Sequence, residues 1–234
     1  MPLPTLERVG RSALRAAANP MTWAPAIGAA VFAIDDFDRK VSDWAIERNP
    51  VFGSTSTADD ASDYLLWATA GTACITAIAT PSGEDPGDWL LSKARGVVVE
   101  AAGAGATAGV TSALKTAVGR PRPSGGKYSF PSSHASASYS FATLTSKNLE
   151  SISLPDGLRL GLQAGAYTMA GGVAWARVEA GAHFPSDVLA GAAIGHFLTA
   201  FIHAAFLGLP LDGSVTLEVD PTREGTMVSV GLSF

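Results

Sequence analysis

Arg177-Val178-Glu179-Ala180-Gly181-Ala182-His183-Phe184-Pro185-Ser186-Asp187 joins two long apolar stretches, and its reading decides the fold. Upstream, residues 158–176 are almost free of charge and read as a helix. Downstream, Pro185 sits where a first helical turn tolerates proline, and residues 185–208 continue as the last long helix. The stretch is therefore a corner between two helices that carries an arginine, a histidine and an aspartate. His183 and Asp187 are four apart at a helix start. A carboxylate at that distance can hold one imidazole nitrogen, fix the tautomer and leave the other nitrogen free to attack. Alone, the pair reads rather as a surface His–Asp contact.

The segments before this corner are also helical. Residues 5–18 form an amphipathic, Ala-rich pattern with arginines on one side, and 21–34 are apolar. Residues 35–63 are polar and broken, with a short helix around 38–48. Ser62 or Asp63 could cap the next apolar segment, 64–80, which stops at Pro81. A long helix follows over about 88–117, and a polar one over about 133–147. Gly103, Gly105 and Gly109 would let a neighbouring helix approach the first of these closely. The tail differs. Val215, Leu217 and Val219, then Val228, Val230 and Leu232, alternate with polar residues and predict a β-hairpin. The expected architecture is all-α: a six-helix, membrane-embedded bundle with a short C-terminal β-hairpin. Residues 1–210 form the helical domain, with its core over 60–208, and 211–234 form the tail.

Composition narrows the function classes. Hydrophobic residues make up 47% and charged residues 16%, below the usual charged share of about 25%. Ala and Gly supply much of the apolar content, which suits closely packed helices. A net charge of -5 argues against nucleic acid as a partner. The single cysteine, Cys74, lies in an apolar run and reads as a small buried hydrophobe. Arg8, Arg11 and Arg15 precede the first apolar stretch, but Pro25 and the acids Asp35, Asp36 and Asp38 fit a helix better than a cleaved leader. Those acids suggest a cation site only faintly and read as helix-end charges. His196 and His203 lie seven apart in the last apolar helix and read as buried histidines with hydrogen-bond partners.

Two further clusters carry chemistry. Lys115-Thr116-Ala117-Val118-Gly119-Arg120-Pro121-Arg122-Pro123 packs three cations into a helix end and the turn after it. Phe130-Pro131-Ser132-Ser133-His134 opens a helix, so free backbone N–H groups and hydroxyls converge near His134 as a ready anion site. Each alone has an ordinary reading, a solvated helix end and an N-cap. Together with the corner at 177–187 they are far more specific.

In order and spacing the three clusters resemble the phosphatidic acid phosphatase type 2 superfamily, which includes bacterial acid phosphatases and vanadium haloperoxidases. Lys115, Arg122 and Pro123 fit its first motif; Pro131, Ser132 and His134 fit its second; Arg177, His183 and Asp187 fit its third. Ser133 stands where the family has glycine, and Ala176 where it has serine. The resemblance covers about residues 60–208 and implies a phosphatase with no metal or other cofactor. It implies that Lys115, Arg122, Ser132, Ser133 and Arg177 bind phosphate. His183 is then the nucleophile, Asp187 its orienting partner, and His134 the acid for the leaving oxygen and the base for water.

Segments 21–36, 64–80, 97–117, 133–147, 160–176 and 187–208 are candidate spans. If all six cross, every motif falls on one side and the arginine-rich amino terminus on the other. The positive-inside rule then puts the site on the periplasmic or outer face of an inner membrane. The expected substrates are phosphorylated lipids, as monoesters or pyrophosphates, hydrolysed through a phosphohistidine. The alternatives are a soluble periplasmic acid phosphatase acting on small phosphoesters, a vanadium-dependent haloperoxidase, and a non-catalytic binder on the same bundle.

Overall fold

The computed structural model describes residues 4–82 and 85–207, with the backbone of 214–222 and 225–233. Its helices are α1 (Leu6–Ala18), α2 (Pro20–Phe32), α3 (Phe37–Arg48), α4 (Thr55–Ala79), α5 (Pro86–Val118), α6 (Ser133–Glu150), α7 (Asp156–Glu179) and α8 (Pro185–Leu207). The described residues therefore hold eight helices, which corrects the expected count of six. The six apolar segments are α2 and α4 to α8. The amphipathic α1 and the polar α3 are the additional pair. Beyond α8, β1 (Ser214–Thr222) and β2 (Gly225–Ser233) pair antiparallel, with Val219 opposite Val228.

Local chemistry sets the helix ends. Asn19 closes α1 and caps α2, its Oδ1 accepting from Met21 N at 2.9 Å. Ser54 caps α4 by accepting from Thr57 N at 3.0 Å, so this helix starts before the expected cap at Ser62 or Asp63. Asp59 and Asp63 thereby lie on a helix rather than in a loop or at its cap. Gly119 ends α5 in the left-handed region at φ +60, with its N–H on Lys115 O at 3.0 Å.

α6 is the hub, packed by α4, α5, α7 and α8; α8 also packs on α1 and α2. The hub is lined with small and polar residues. Ser136, Ser138, Ser140, Thr143 and Thr145 are all buried. Their hydroxyls have partners: Thr111 Oγ1 donates to Ser136 Oγ at 3.1 Å, Ser140 shares a 2.7 Å bond with Thr199, and Thr143 donates to Tyr139 O at 2.7 Å. Close approach depends on two glycines of α8. A Cβ on Gly191 would lie 2.6 Å from Ser132 O, and one on Gly195 2.1 Å from Ser136 O.

Large apolar side chains point outward instead. On α4 alone, Tyr64 and Trp67 are 76% exposed and Ile78 72%. Cys74 is exposed too, which corrects its reading as a buried residue. It lines a groove of about 400 Å³ between α4, α5 and α6. Among the described residues, α5 and α8 are long and apolar enough to cross a membrane, where sequence patterning suggested six spans. α2 has only 13 residues, and α6 is diluted by Ser and Thr. His196 and His203 are buried, and His196 Nδ1 lies 2.7 Å from Thr22 Oγ1.

Candidate active site

The site lies at the end of the bundle where α5 finishes and where α4, α6 and α8 begin. Backbone hydrogen bonds tie the three motif loops together. Ser124 N donates to Gly181 O at 3.1 Å, and Ser132 N donates to Asp187 O at 3.0 Å. Within the first loop, Arg122 N donates to Gly126 O at 2.7 Å, and Ser129 N to Arg120 O at 2.7 Å. These bonds fix the loop although it lacks regular structure. Gly126 matters here because a Cβ would sit 3.1 Å from Arg122 Cδ.

Lys115 projects from the last turn of α5 and donates to Tyr128 O at 2.8 Å. It interacts electrostatically with Arg122, Arg177 and Asp187. Arg122 and Arg177 each have a buried Nε without a protein partner. Such donors are costly to leave unpaired, so a site that binds oxyanions is a natural home for them. Ser132 caps α6, its Oγ 3.4 Å from Ala135 N, and Ser133 is exposed at the first position of that helix. Ser133 is absent from the non-glycine residues at positive φ, which are Asp35, Asn49 and Tyr128. The replacement of glycine there carries no backbone strain. Ala176 is fully buried, and nothing in the structure explains why serine is replaced there.

His183 sits in the turn before α8 and is 2% exposed. Its backbone N–H donates to Arg177 O at 3.2 Å. Nδ1 lies 3.9 Å from Asp187 Oδ2 and has no hydrogen-bond partner. That separation is an electrostatic contact, too long for a hydrogen bond. Burial above all, with the charges of Lys115 and Arg177, pushes the His183 pKa down to about 4, while Asp187 acts in the opposite direction. The ring is therefore neutral over most of the pH range, the state in which an imidazole nitrogen keeps its lone pair.

Asp187 is fully buried and heavily bonded. It accepts from Arg120 Nη1 at 2.7 Å, Ser129 Oγ at 2.5 Å and Phe184 N at 2.9 Å. Arg120 also reaches Asp38 Oδ2 at 2.7 Å and Ser186 Oγ at 2.8 Å, and lies 4.1 Å above the Phe184 ring. Asp38 accepts from Ser186 N at 2.9 Å and from the Ser186 hydroxyl. This acid is only 4% exposed. Reading it as a helix-end charge missed a buried anchor that ties α3 to the start of α8. Asp35 and Asp36 remain exposed.

His134 and Arg177 meet two acids of α4. His134 Nε2 lies 2.8 Å from Asp63 Oδ1, and Arg177 Nη1 donates to Asp59 Oδ1 at 2.5 Å and to Ser62 Oγ at 3.0 Å. His134 and His183 both interact with Arg177, which links the two imidazoles to one cationic cluster. Among the described residues, no three His, Cys, Asp or Glu side chains group as a metal ion would require.

Residues 97–209 match the family model of the PAP2 superfamily. Over this stretch, just under half of its length, the chain is similar to the PAP2 superfamily. The PAP2 match begins within α5 and ends beyond α8, so it holds all three motifs. It leaves out α3 and α4, which bring Asp38, Asp59 and Asp63 to the site. The fold is similar to that of a transmembrane PAP2-type phosphatidylglycerolphosphate phosphatase from Bacillus subtilis. The TM-score is 0.57 at 19% identity, over 79% of this chain and 92% of the other. No curated protein gives a significant match.

Proposed function

We propose that this chain is a membrane-embedded phosphatase that hydrolyses lipid phosphate monoesters or pyrophosphates through a phosphohistidine. The observation that carries this reading is the grouping of Lys115, Arg122 and Arg177 with His134 and the His183–Asp187 pair at one end of the bundle. The enzyme comprises residues 1–210, and 211–234 form a tail.

Lys115, Arg122 and Arg177 bind the phosphoryl oxygens and offset the charge of the transferring group. Ser132 and the Ser133 N–H add donors at the α6 N-terminus. The His183 nitrogen distal to Asp187 attacks phosphorus, and a P–N bond forms as the ester P–O bond breaks. His134 gives its proton to the departing oxygen. Asp187, 3.9 Å from Nδ1, orients the ring and stabilises its positive charge. His134, now neutral, removes a proton from water. The resulting attack breaks the P–N bond and frees inorganic phosphate.

The membrane reading is supported by the outward apolar face of α4, the polar interior around α6, and the length and apolarity of α5 and α8. The proposed orientation is supported by α1. Arg8 Nη2 donates to Ala204 O at 3.1 Å, so the arginine-rich helix sits at the far end of α8 from Asp187. The positive-inside rule makes that end cytoplasmic and turns the site toward the periplasm.

Phosphate release from a panel of lipid phosphates, lipid pyrophosphates and soluble phosphoesters tests the proposal. Washed membranes carrying the protein should release phosphate from lipid substrates, with activity retained in excess chelator. Activity that leaves the membranes without detergent and prefers soluble esters would instead indicate a soluble acid phosphatase.

The low His183 pKa has a kinetic consequence. Protonation removes the nucleophile, so activity is present above about 4 and lost as pH falls through that value. The acid limb of kcat/KM, after division by the substrate's own ionisation, should bend near pH 4. A limb bending near pH 6.5 would show that His183 is not held neutral by its surroundings.

A further inference from the structure

Two carboxylates of α4 face the site from outside the matched stretch, and one of them bears directly on proton transfer. Asp63 Oδ1 lies 2.8 Å from His134 Nε2. An ionised carboxylate only accepts, so Nε2 carries the hydrogen in this contact. Nδ1 is then the nitrogen left to face a reacting oxygen. One helical turn earlier, Asp59 holds Arg177 at 2.5 Å. The spacing of four places both acids on one side of α4, each against a different motif residue.

The arrangement suits a proton donor. His134 stands at the mouth of α6, outside the two stretches long and apolar enough to cross a membrane. The charged groups that face it are Asp63 and Asp59 from α4 and Arg177 from α7. Burial, the largest influence, holds its pKa below the ordinary imidazole value and Arg177 adds to this, whereas the two acids oppose it and only Asp63 touches the ring. A partly buried acid catalyst beside an arginine loses its proton more readily, and the Asp63 contact opposes that loss.

We propose that Asp63 is the positioning residue that holds the proton on His134 Nε2 and turns its free nitrogen toward the leaving oxygen. This rests on the reading of His134 as the leaving-group acid. A merely structural contact makes a different prediction. Asp63 is 62% exposed at its side chain, and a solvated ion pair of this kind adds little to folding. Losing it should then leave the dependence on leaving group unchanged.

The test compares kcat/KM for an alkyl phosphate and for p-nitrophenyl phosphate, because kcat/KM reports the step that expels the leaving group. An alkoxide leaves poorly without a proton, whereas nitrophenolate does not need one. Asp63→Asn should lower kcat/KM for the alkyl ester by about 10- to 100-fold, and for the aryl ester by less than about threefold. The alkaline limb for the alkyl ester should move to lower pH, and Asp63→Glu should restore part of the loss. His134→Gln is the control. If it lowers both esters equally, the reading of His134 as the acid fails. If it discriminates between the esters while Asp63→Asn affects both alike or neither, or leaves the alkaline limb in place, the role of Asp63 is overturned and that of His134 stands.

Discussion

Phosphate release should fall by about three orders of magnitude or more in His183→Ala, for lipid and soluble phosphoesters alike. A factor of a thousand corresponds to about 4 kcal/mol of transition-state stabilisation, a reasonable loss when the attacking atom itself is removed. The substitution is clean because His183 Nδ1 has no hydrogen-bond partner to orphan. Thermal stability should change far less than activity, since only the buried ring volume is lost. Asp187→Asn would be a poorer probe. Its carboxylate accepts from Arg120, Ser129 and Phe184, so amide substitution disturbs the corner as well as His183. Residual activity within tenfold of wild type in His183→Ala would mean that another group attacks phosphorus.

The second large effect is expected at Gly195. In Gly195→Ala the new Cβ would stand 2.1 Å from Ser136 O and 3.0 Å from Ser136 C, both backbone atoms of α6. Relief requires the two helices to part by more than about 1 Å, because carbon contacts settle near 3.5 Å. Overpacking of this kind costs about 1–3 kcal/mol or more, without a flexible side chain to yield. The damage should also reach the site. α6 begins at Ser133 beside His134, and α8 begins at Pro185 beside Asp187, so parting them separates His134 from Asp187. A lowered thermal midpoint and reduced activity are expected together. Gly105→Ala is the control, since a Cβ there meets nothing within 4 Å. Alanine favours the helix, so that variant should be as stable as wild type or slightly more. Equal behaviour of the two variants would show that α6 and α8 are not in close backbone contact.

The motif residues were legible because their chemistry is local. Proline followed by two serines announces the start of α6, and the spacing of His183 and Asp187 permits their contact, which the three motifs taken together singled out. The residues that support them were not legible. Asp38 lies in a run of acids that resembles a solvated helix end, and its burial arises only because Arg120 and Ser186 arrive from remote parts of the chain. Arg120 stood out as one of three cations, yet the pattern could not show that it turns to Asp187 rather than to phosphate. Asp59 and Asp63 were hidden by a misplaced helix start. Thr55 to Asp63 is polar, so the apolar segment seemed to begin later, although the helix starts at Thr55 and these acids face His134 and Arg177. Cys74 shows the opposite error. Apolar neighbours suggested burial, but in this bundle the apolar side of α4 faces outward and the polar side inward.

The most direct test of the account is to trap the covalent intermediate. The protein is mixed with phosphorus-labelled substrate, quenched in alkali within the first turnover, digested, and mapped by mass spectrometry. The expected result is a base-stable, acid-labile phosphoryl group on His183, absent from His183→Ala. Label on another residue, or turnover with inversion of configuration at phosphorus and no trapped adduct, would contradict it.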